Sequence, residues 1–312
     1  MPKYFLVFLL LPITAFAQLT FEQKIKAMPI TELDHGLKLT FDQPEISALK
    51  PTKIIIYALP NGNTTAQTFG KKLAKGDDWH FDIQHIGAQT AFVRNVDKRS
   101  NYIVVYLENN LKSWPQWRRQ THNADSIIAG IVTHIYQKYQ GLKPLLTLNS
   151  HSGGGSFIFG FIKAGLQLPN YVESIVFLDA TYGYETAKHG QKIKDWLAKK
   201  GKSLQVIAYN DSVVVYNGKP LVSARGGTWY RSKLMAHDLG KLQLKETEVQ
   251  ITWANRSATT SFILLKNPEA KIFHTVLVEK NGFIHSLFNG TKLANKNYWF
   301  WQERAYADFI LE

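Results

Sequence analysis

Apolar positions along this chain fall into two alternating patterns. Continuous, β-branched-rich runs occur from Lys53 to Leu59, Tyr102 to Leu107, Leu145 to Leu148, Glu173 to Leu178, Leu204 to Tyr209 and Ile272 to Val278. Such runs predict strands buried on both faces, as in a parallel sheet. An alternating piece from Leu37 to Phe41 predicts an earlier strand. Between the runs, apolar residues recur at helical spacing: Ile127, Ile128, Ile131, Ile135 and Tyr139; then Phe157, Ile158, Phe161 and Ile162; then Ile193, Trp196 and Leu197. Strand–helix alternation predicts an α/β fold, a doubly wound and mostly parallel sheet with helices on both faces. In such sheets the ligand sits beyond the carboxyl ends of the strands, so the residues after each strand carry the chemistry.

Residues 1–17 stand apart from this pattern. Lys3 gives a positive start, Tyr4 to Ile13 is almost unbroken apolar sequence, and Ala15-Phe16-Ala17 places small residues where a signal peptidase reads. The segment reads as a secretory signal peptide cut after Ala17, and it is short for a bilayer span. Residues 18–312 are expected to form a single domain, periplasmic or secreted, with no stable membrane insertion. The chain has no cysteine, so its stability must come from core burial; hydrophobic residues at 45% and aromatics at 13% supply that core. The formal net charge of +13 favours anionic surroundings such as envelope polymers. The Lys and Arg residues are scattered, without interleaved stacking aromatics, so nucleic acid is not an expected partner.

The third strand-like run leads into Asn149-Ser150-His151-Ser152-Gly153-Gly154-Gly155, and a helix follows. A sharp strand-to-helix turn that presents a nucleophile needs small residues two before and two after it. Ser150 and Gly154 fill those positions around Ser152. The pattern resembles the Gly-x-Ser-x-Gly nucleophile elbow of the α/β-hydrolase superfamily of serine esterases, lipases and amidases, with Ser150 in place of the first glycine. The resemblance implies that Ser152 is the nucleophile and that the Gly153 amide helps to hold an oxyanion. It also implies a second oxyanion donor from the loop after the first long strand, at Asn61, Gly62 or Asn63. An orienting acid and a base then follow in chain order. Asp211, after the fifth run, stands where most of the superfamily carries the acid; Asp179, after the fourth, stands where some lipases carry it. His285, soon after the run at 272–278, is the expected base, with His274 taken to lie within that last strand. The implied reaction is ester or amide hydrolysis through an acyl-enzyme, with no metal or organic cofactor.

Loops on the expected ligand side carry further candidates. Trp114 and Arg118, after the second run, and Arg231, after the fifth, suggest an aromatic and cationic pocket for an anionic substrate. The stretch Trp79 to Thr90 holds His80, Asp82 and His85, which leaves a metal-dependent hydrolase as an alternative, although strand alternation would put His80 and Asp82 on one face and His85 on the other. A noncatalytic binding protein on the same fold is a further alternative. Nothing in the sequence sets the oligomeric state.

Overall fold

The computed structural model describes residues 19–312; the expected signal segment at 1–17 lies outside the described residues. Twelve strands are present among them: β1 (Ile30–Leu33), β2 (Leu37–Asp42), β3 (Thr52–Ala58), β4 (Asn101–Asn109), β5 (Leu145–His151), β6 (Val172–Leu178), β7 (Ser203–Tyr209), a short hairpin of β8 (Val215–Tyr216) and β9 (Lys219–Pro220), then β10 (Gln243–Glu246), β11 (Gln250–Ala254) and β12 (Thr260–Leu265). All but the hairpin pair in one sheet of order β1-β2-β4-β3-β5-β6-β7-β12-β11-β10. The central strands β4, β3, β5, β6, β7 and β12 run parallel, and antiparallel pairs close both edges. The early alternating strand and the first five long runs of the sequence correspond to β2 through β7.

The last predicted strand is corrected. Ile272 to Val278 is loop followed by the short helix α9 (His274–Leu277), while the final parallel strand is β12, some ten residues earlier. A short apolar run has no periodicity of its own, so its composition does not separate a buried strand from a buried helical turn. The stretch around Trp79 is likewise a single helical turn, not a strand.

The other helices are α1 (Phe21–Ala27), α2 (Thr65–Phe69), α3 (Ile86–Val96), α4 (Trp114–Gln120), α5 (Ala124–Lys138), α6 (Gly155–Ala164), α7 (Gln191–Leu197), α8 (Thr228–Leu239) and, after α9, α10 (Phe283–Phe288). Strand side chains alternate between two cores. Ile54, Ile56, Leu148 and Phe177 point to one face and meet Trp117, Ile128, Phe157 and Trp196 from α4, α5, α6 and α7. Ile55, Tyr57, Val176 and Leu178 point to the other and meet Ile86, Val93, Phe283 and Ile284 from α3 and α10. Burial on both faces explains why these strands read as continuous apolar runs.

Strand order reverses beside β3. The chain passes from β3 outward to β4, then returns to β5 on the other side of β3. The carboxyl ends of β3 and β5 therefore flank a topological switch point, where an open α/β sheet leaves a crevice for a ligand.

Candidate active site

The two loops at the switch point face each other. Ser152 follows β5 directly and adopts φ 53°, in the left-handed region that a non-glycine residue rarely enters. That conformation turns the chain sharply from strand into α6. The turn closes only because its glycines lack side chains. A Cβ on Gly154 would strike the Ala58 carbonyl at the end of β3, and one on Gly155 would strike the Ala180 carbonyl after β6. Ser150 is fully buried and still small enough to fit, with its hydroxyl donating to the Val176 carbonyl at 3.4 Å. Asn61, after β3, lies directly over Gly153, and both border a cavity of about 380 Å³ together with Ser152, Pro115, Ser156 and Tyr182.

The structure places the other expected oxyanion donors differently. Gly62 donates its backbone N–H to the Lys112 carbonyl at 2.8 Å, so that group is already engaged. Asn63 is buried, with its Nδ2 unpartnered, and does not border the cavity. Gly153 and Asn61 are the two that meet Ser152.

The histidine beside the serine loop is His274, at the start of α9. Its ring stands 5.1 Å from that of His151, the residue before Ser152, in an edge-to-face arrangement. Its Nδ1 lies 3.9 Å from Asp179 Oδ2. This is longer than a hydrogen bond, as such pairs often are before substrate tightens them. Desolvation lowers the pKa of His274 below the ordinary histidine value, although 38% of its side chain is exposed. His151 is lowered far more, first by complete burial and then by the His274 charge.

His285, the base expected from the sequence, sits elsewhere. It lies inside α10 with 7% exposure, its Nδ1 3.2 Å from the Tyr298 hydroxyl and its ring stacked on Phe300 at 4.9 Å. Burial pushes its pKa down to about 4. These partners belong to the packing of the C-terminal segment, and the structure does not bring His285 to Ser152. His274, expected within a strand, instead follows the last parallel strand, β12, and opens α9.

The two candidate acids meet at Thr228, the first residue of α8. The Thr228 hydroxyl donates closely to Asp179 Oδ1 and lies 3.2 Å from Asp211 Oδ2. Asp211 also accepts the backbone N–H groups of Thr228 at 2.7 Å and Trp229 at 3.3 Å. Both of its oxygens are thereby committed to the N-terminus of α8, in the manner of a helix cap. Asp179 keeps a buried oxygen, Oδ2, with no partner. Its pKa is raised well above the ordinary value by burial, with the Asp211 charge adding and the Thr228 bond opposing. Asp179, not Asp211, is the acid the structure brings to a histidine.

The remaining expectations divide. Trp114 is 2% exposed and packs edge-on to Trp117 and Phe157, so it belongs to the core and has no face for a ligand. Arg231 lies on α8 and donates to the Tyr184 carbonyl at 3.0 Å, away from the cavity lining. Arg118 borders a neighbouring cleft. The His80, Asp82 and His85 set is split: His80 pairs with Asp78, while the buried His85 pairs with Asp82, which Arg304 also contacts at 2.7 Å. A guanidinium on the shared carboxylate opposes a cation there. Among the described residues no group of three or more His, Asp or Glu is arranged to hold a metal ion.

Strand order, the parallel core and a positive-φ serine between β5 and a helix define an α/β-hydrolase fold. No protein-family model matches the chain, and no curated protein matches it in sequence. Solved structures with similar folds include a predicted CIB-like hydrolase from Thermoplasma acidophilum, at 11% identity and TM-score 0.45 over 83% of this chain and 94% of that one. A siderophore hydrolase from Aspergillus nidulans matches at 13% identity and TM-score 0.44 over 84% and 93%. A thermostable esterase matches at 14% identity and TM-score 0.44 over 70% of this chain, which spans only 54% of that protein's length.

Proposed function

We propose that the protein is a serine hydrolase that cleaves a carboxylic ester or amide. The observation that carries this reading is the strained Ser152 turn, φ 53°, opening onto a cavity, with the His274–Asp179 pair packed against His151, the residue before Ser152. A non-glycine residue in this region costs of order 1–3 kcal/mol, and it persists where the surroundings over-determine it. In the proposed mechanism His274 Nε2 takes the Ser152 proton as Oγ bonds to the carbonyl carbon. The carbonyl oxygen becomes an oxyanion between the Gly153 N–H and Asn61. The intermediate collapses, the bond to the alcohol or amine breaks, and His274 returns the proton to that leaving group. Water, deprotonated by His274, then attacks the acyl-enzyme, releasing the acid and restoring Ser152. Asp179 holds the Nδ1 side of His274 and balances the imidazolium.

The test is labelling by a fluorophosphonate, which reacts with an activated serine, in wild type and Ser152→Ala. Labelling of the wild type alone supports the reading; a folded wild type that does not label overturns it. We further infer that the protein is exported. A secreted form beginning at Gln18 supports this, and a mature protein retaining residues 1–17 counts against it.

A further inference from the structure

Beside the Ser152 cavity lies a wider cleft of about 570 Å³. The two share Pro115 and Ser156 as lining residues, so they adjoin. Three cations border the cleft: Arg118 and Arg119 from the last turn of α4, and Lys163 from α6. The carboxylate on the same wall, Asp125, is already matched. Arg118 reaches it at 2.9 Å through Nε and 2.6 Å through Nη2, and Lys163 reaches it at 3.0 Å. Burial alone would raise the Asp125 carboxyl, but the Lys163 and Arg118 bonds outweigh burial and hold it below the ordinary range.

The wall thus carries an excess of positive charge. Arg119 is exposed and pairs with no carboxylate among the described residues. Arg118 is fixed by Asp125 and also donates from Nη1 to Ser156 Oγ at 3.1 Å. Ser156, in the first turn of α6, lines the same cavity as Ser152. The cations therefore stand within reach of one end of a small molecule whose carbonyl lies at Ser152.

We propose that this cleft binds an oxyanion carried by the substrate, so that the enzyme favours esters or amides bearing a carboxylate or similar anion a few bonds from the scissile carbonyl. The inference rests on the Ser152 hydrolase reading. A planar guanidinium recognises a carboxylate through paired N–H donors. Because Arg119 is exposed, its attraction is screened by salt.

The test uses two pairs of chromogenic or chromatographically followed esters. In one the anion is on the acyl side, 4-nitrophenyl hemiglutarate against its methyl glutarate counterpart. In the other it is on the leaving group, 4-acetoxybenzoate against methyl 4-acetoxybenzoate. The readout is the ratio of kcat/KM for anionic over neutral ester, in wild type and Arg119→Glu, at low salt and in added sodium chloride. The ratio is expected to exceed about threefold for at least one pair, the scale of an exposed ion pair. It should fall severalfold in Arg119→Glu and shrink with salt. A ratio at or below one in both pairs, or a ratio unmoved by Arg119→Glu, overturns the proposal. If Ser152 labels with fluorophosphonate while the ratio is flat, only the anion site fails. If wild type neither labels nor turns over any ester, the hydrolase reading fails and takes the anion site with it. If Ser152 labels but no ester turns over, protection by glutarate decides: slower labelling that Arg119→Glu abolishes supports the site, and no protection refutes it.

Discussion

Replacing His274 with alanine removes the imidazole that stands 5.1 Å from the His151 ring and 3.9 Å from Asp179 Oδ2. If that ring is the base, Ser152 loses its proton acceptor, and the residues lining the cavity include no histidine or carboxylate to replace it. Loss of the base from a serine triad costs on the order of 10⁴–10⁶ in kcat, which is about 5–8 kcal/mol of transition-state stabilisation. The ring is 38% exposed at the end of a four-residue helix, so its removal should cost the fold little. His285→Ala should do the reverse. It empties a buried stack against Phe300 and leaves the Tyr298 hydroxyl without its partner. Truncating a buried aromatic costs about 3 kcal/mol, which for a domain of this size lowers Tm by roughly 5 °C. The assay is 4-nitrophenyl acetate turnover and fluorophosphonate labelling on both variants, with thermal melts run alongside. His274→Ala is expected to melt like wild type and to be inactive; His285→Ala is expected to melt lower and to label. A His285→Ala protein that melts normally and is dead, beside an active His274→Ala, would refute the assignment.

Asp179→Asn should lower kcat by about 10⁴ with little change in Tm, whereas Asp211→Ala, by leaving the first N–H groups of α8 without an acceptor, should lower stability by about 1–2 kcal/mol and spare most turnover; kinetics and urea titration of both variants check this. Gly155→Ala should wreck the serine turn, because the new methyl meets the Ala180 backbone carbonyl, while Gly153→Ala meets only the movable Asn61 side chain and should fold but turn over slowly; equal melting points for the two would count against this. Acid should destabilise the protein. His189 and His285 are pushed down to about 4 by burial. The unfolded chain binds their protons near pH 6.5, so stability falls as pH drops from there toward 4, by up to roughly 3 kcal/mol for each. Urea midpoints at pH 7.5, 6 and 5 should decline, and His285→Gln should flatten the decline; a constant midpoint would contradict it. Ester turnover on its acid side should fail with a midpoint below 6.5, since desolvation lowers His274; a midpoint above that value would point to another base.

The fold was legible where burial is two-sided. Strands β3 through β7 read as unbroken apolar runs because each alternate side chain meets one of two helix layers. The serine turn was legible because its requirement for small residues at Ser150 and Gly154 is local. The proposed base, His274, differs from the His285 expected from the sequence for one reason. Thr260–Leu265 and Ile272–Val278 are both short apolar runs, and composition alone does not tell which pairs beside β7. Taking the second run as the last strand led to His285 as the expected base; with β12 as the last strand, the proposed base is His274, one short element earlier in the chain. Trp114 was misread for a related reason: a tryptophan at the start of a loop helix looks available to ligand until its neighbours Trp117 and Phe157 are seen to enclose it.

The choice between Asp179 and Asp211 needed contacts that no local pattern carries, because Thr228, the residue that joins them, lies 17 positions after Asp211. The physical logic of the pair follows from how differently their oxygens are served. Asp211 accepts two backbone N–H groups at the positive end of α8, which oppose the burial that raises its pKa whether or not substrate is bound. Asp179 has one oxygen on the Thr228 hydroxyl and the other buried without a close donor; burial and the Asp211 charge lift its pKa against the bonds from Thr228, Tyr209 and Tyr182. The missing donor is what a protonated His274 would supply, since its Nδ1 faces that oxygen. An interaction that completes itself only as the imidazolium forms stabilises the transition state more than the resting enzyme, and only that difference accelerates the reaction. A carboxylate already satisfied, as Asp211 is, has little more to give when the proton moves. On this argument Asp179→Asn should depress kcat and leave KM nearly unchanged. A variant with normal kcat and a raised KM would mean that Asp179 shapes the cavity without orienting the base.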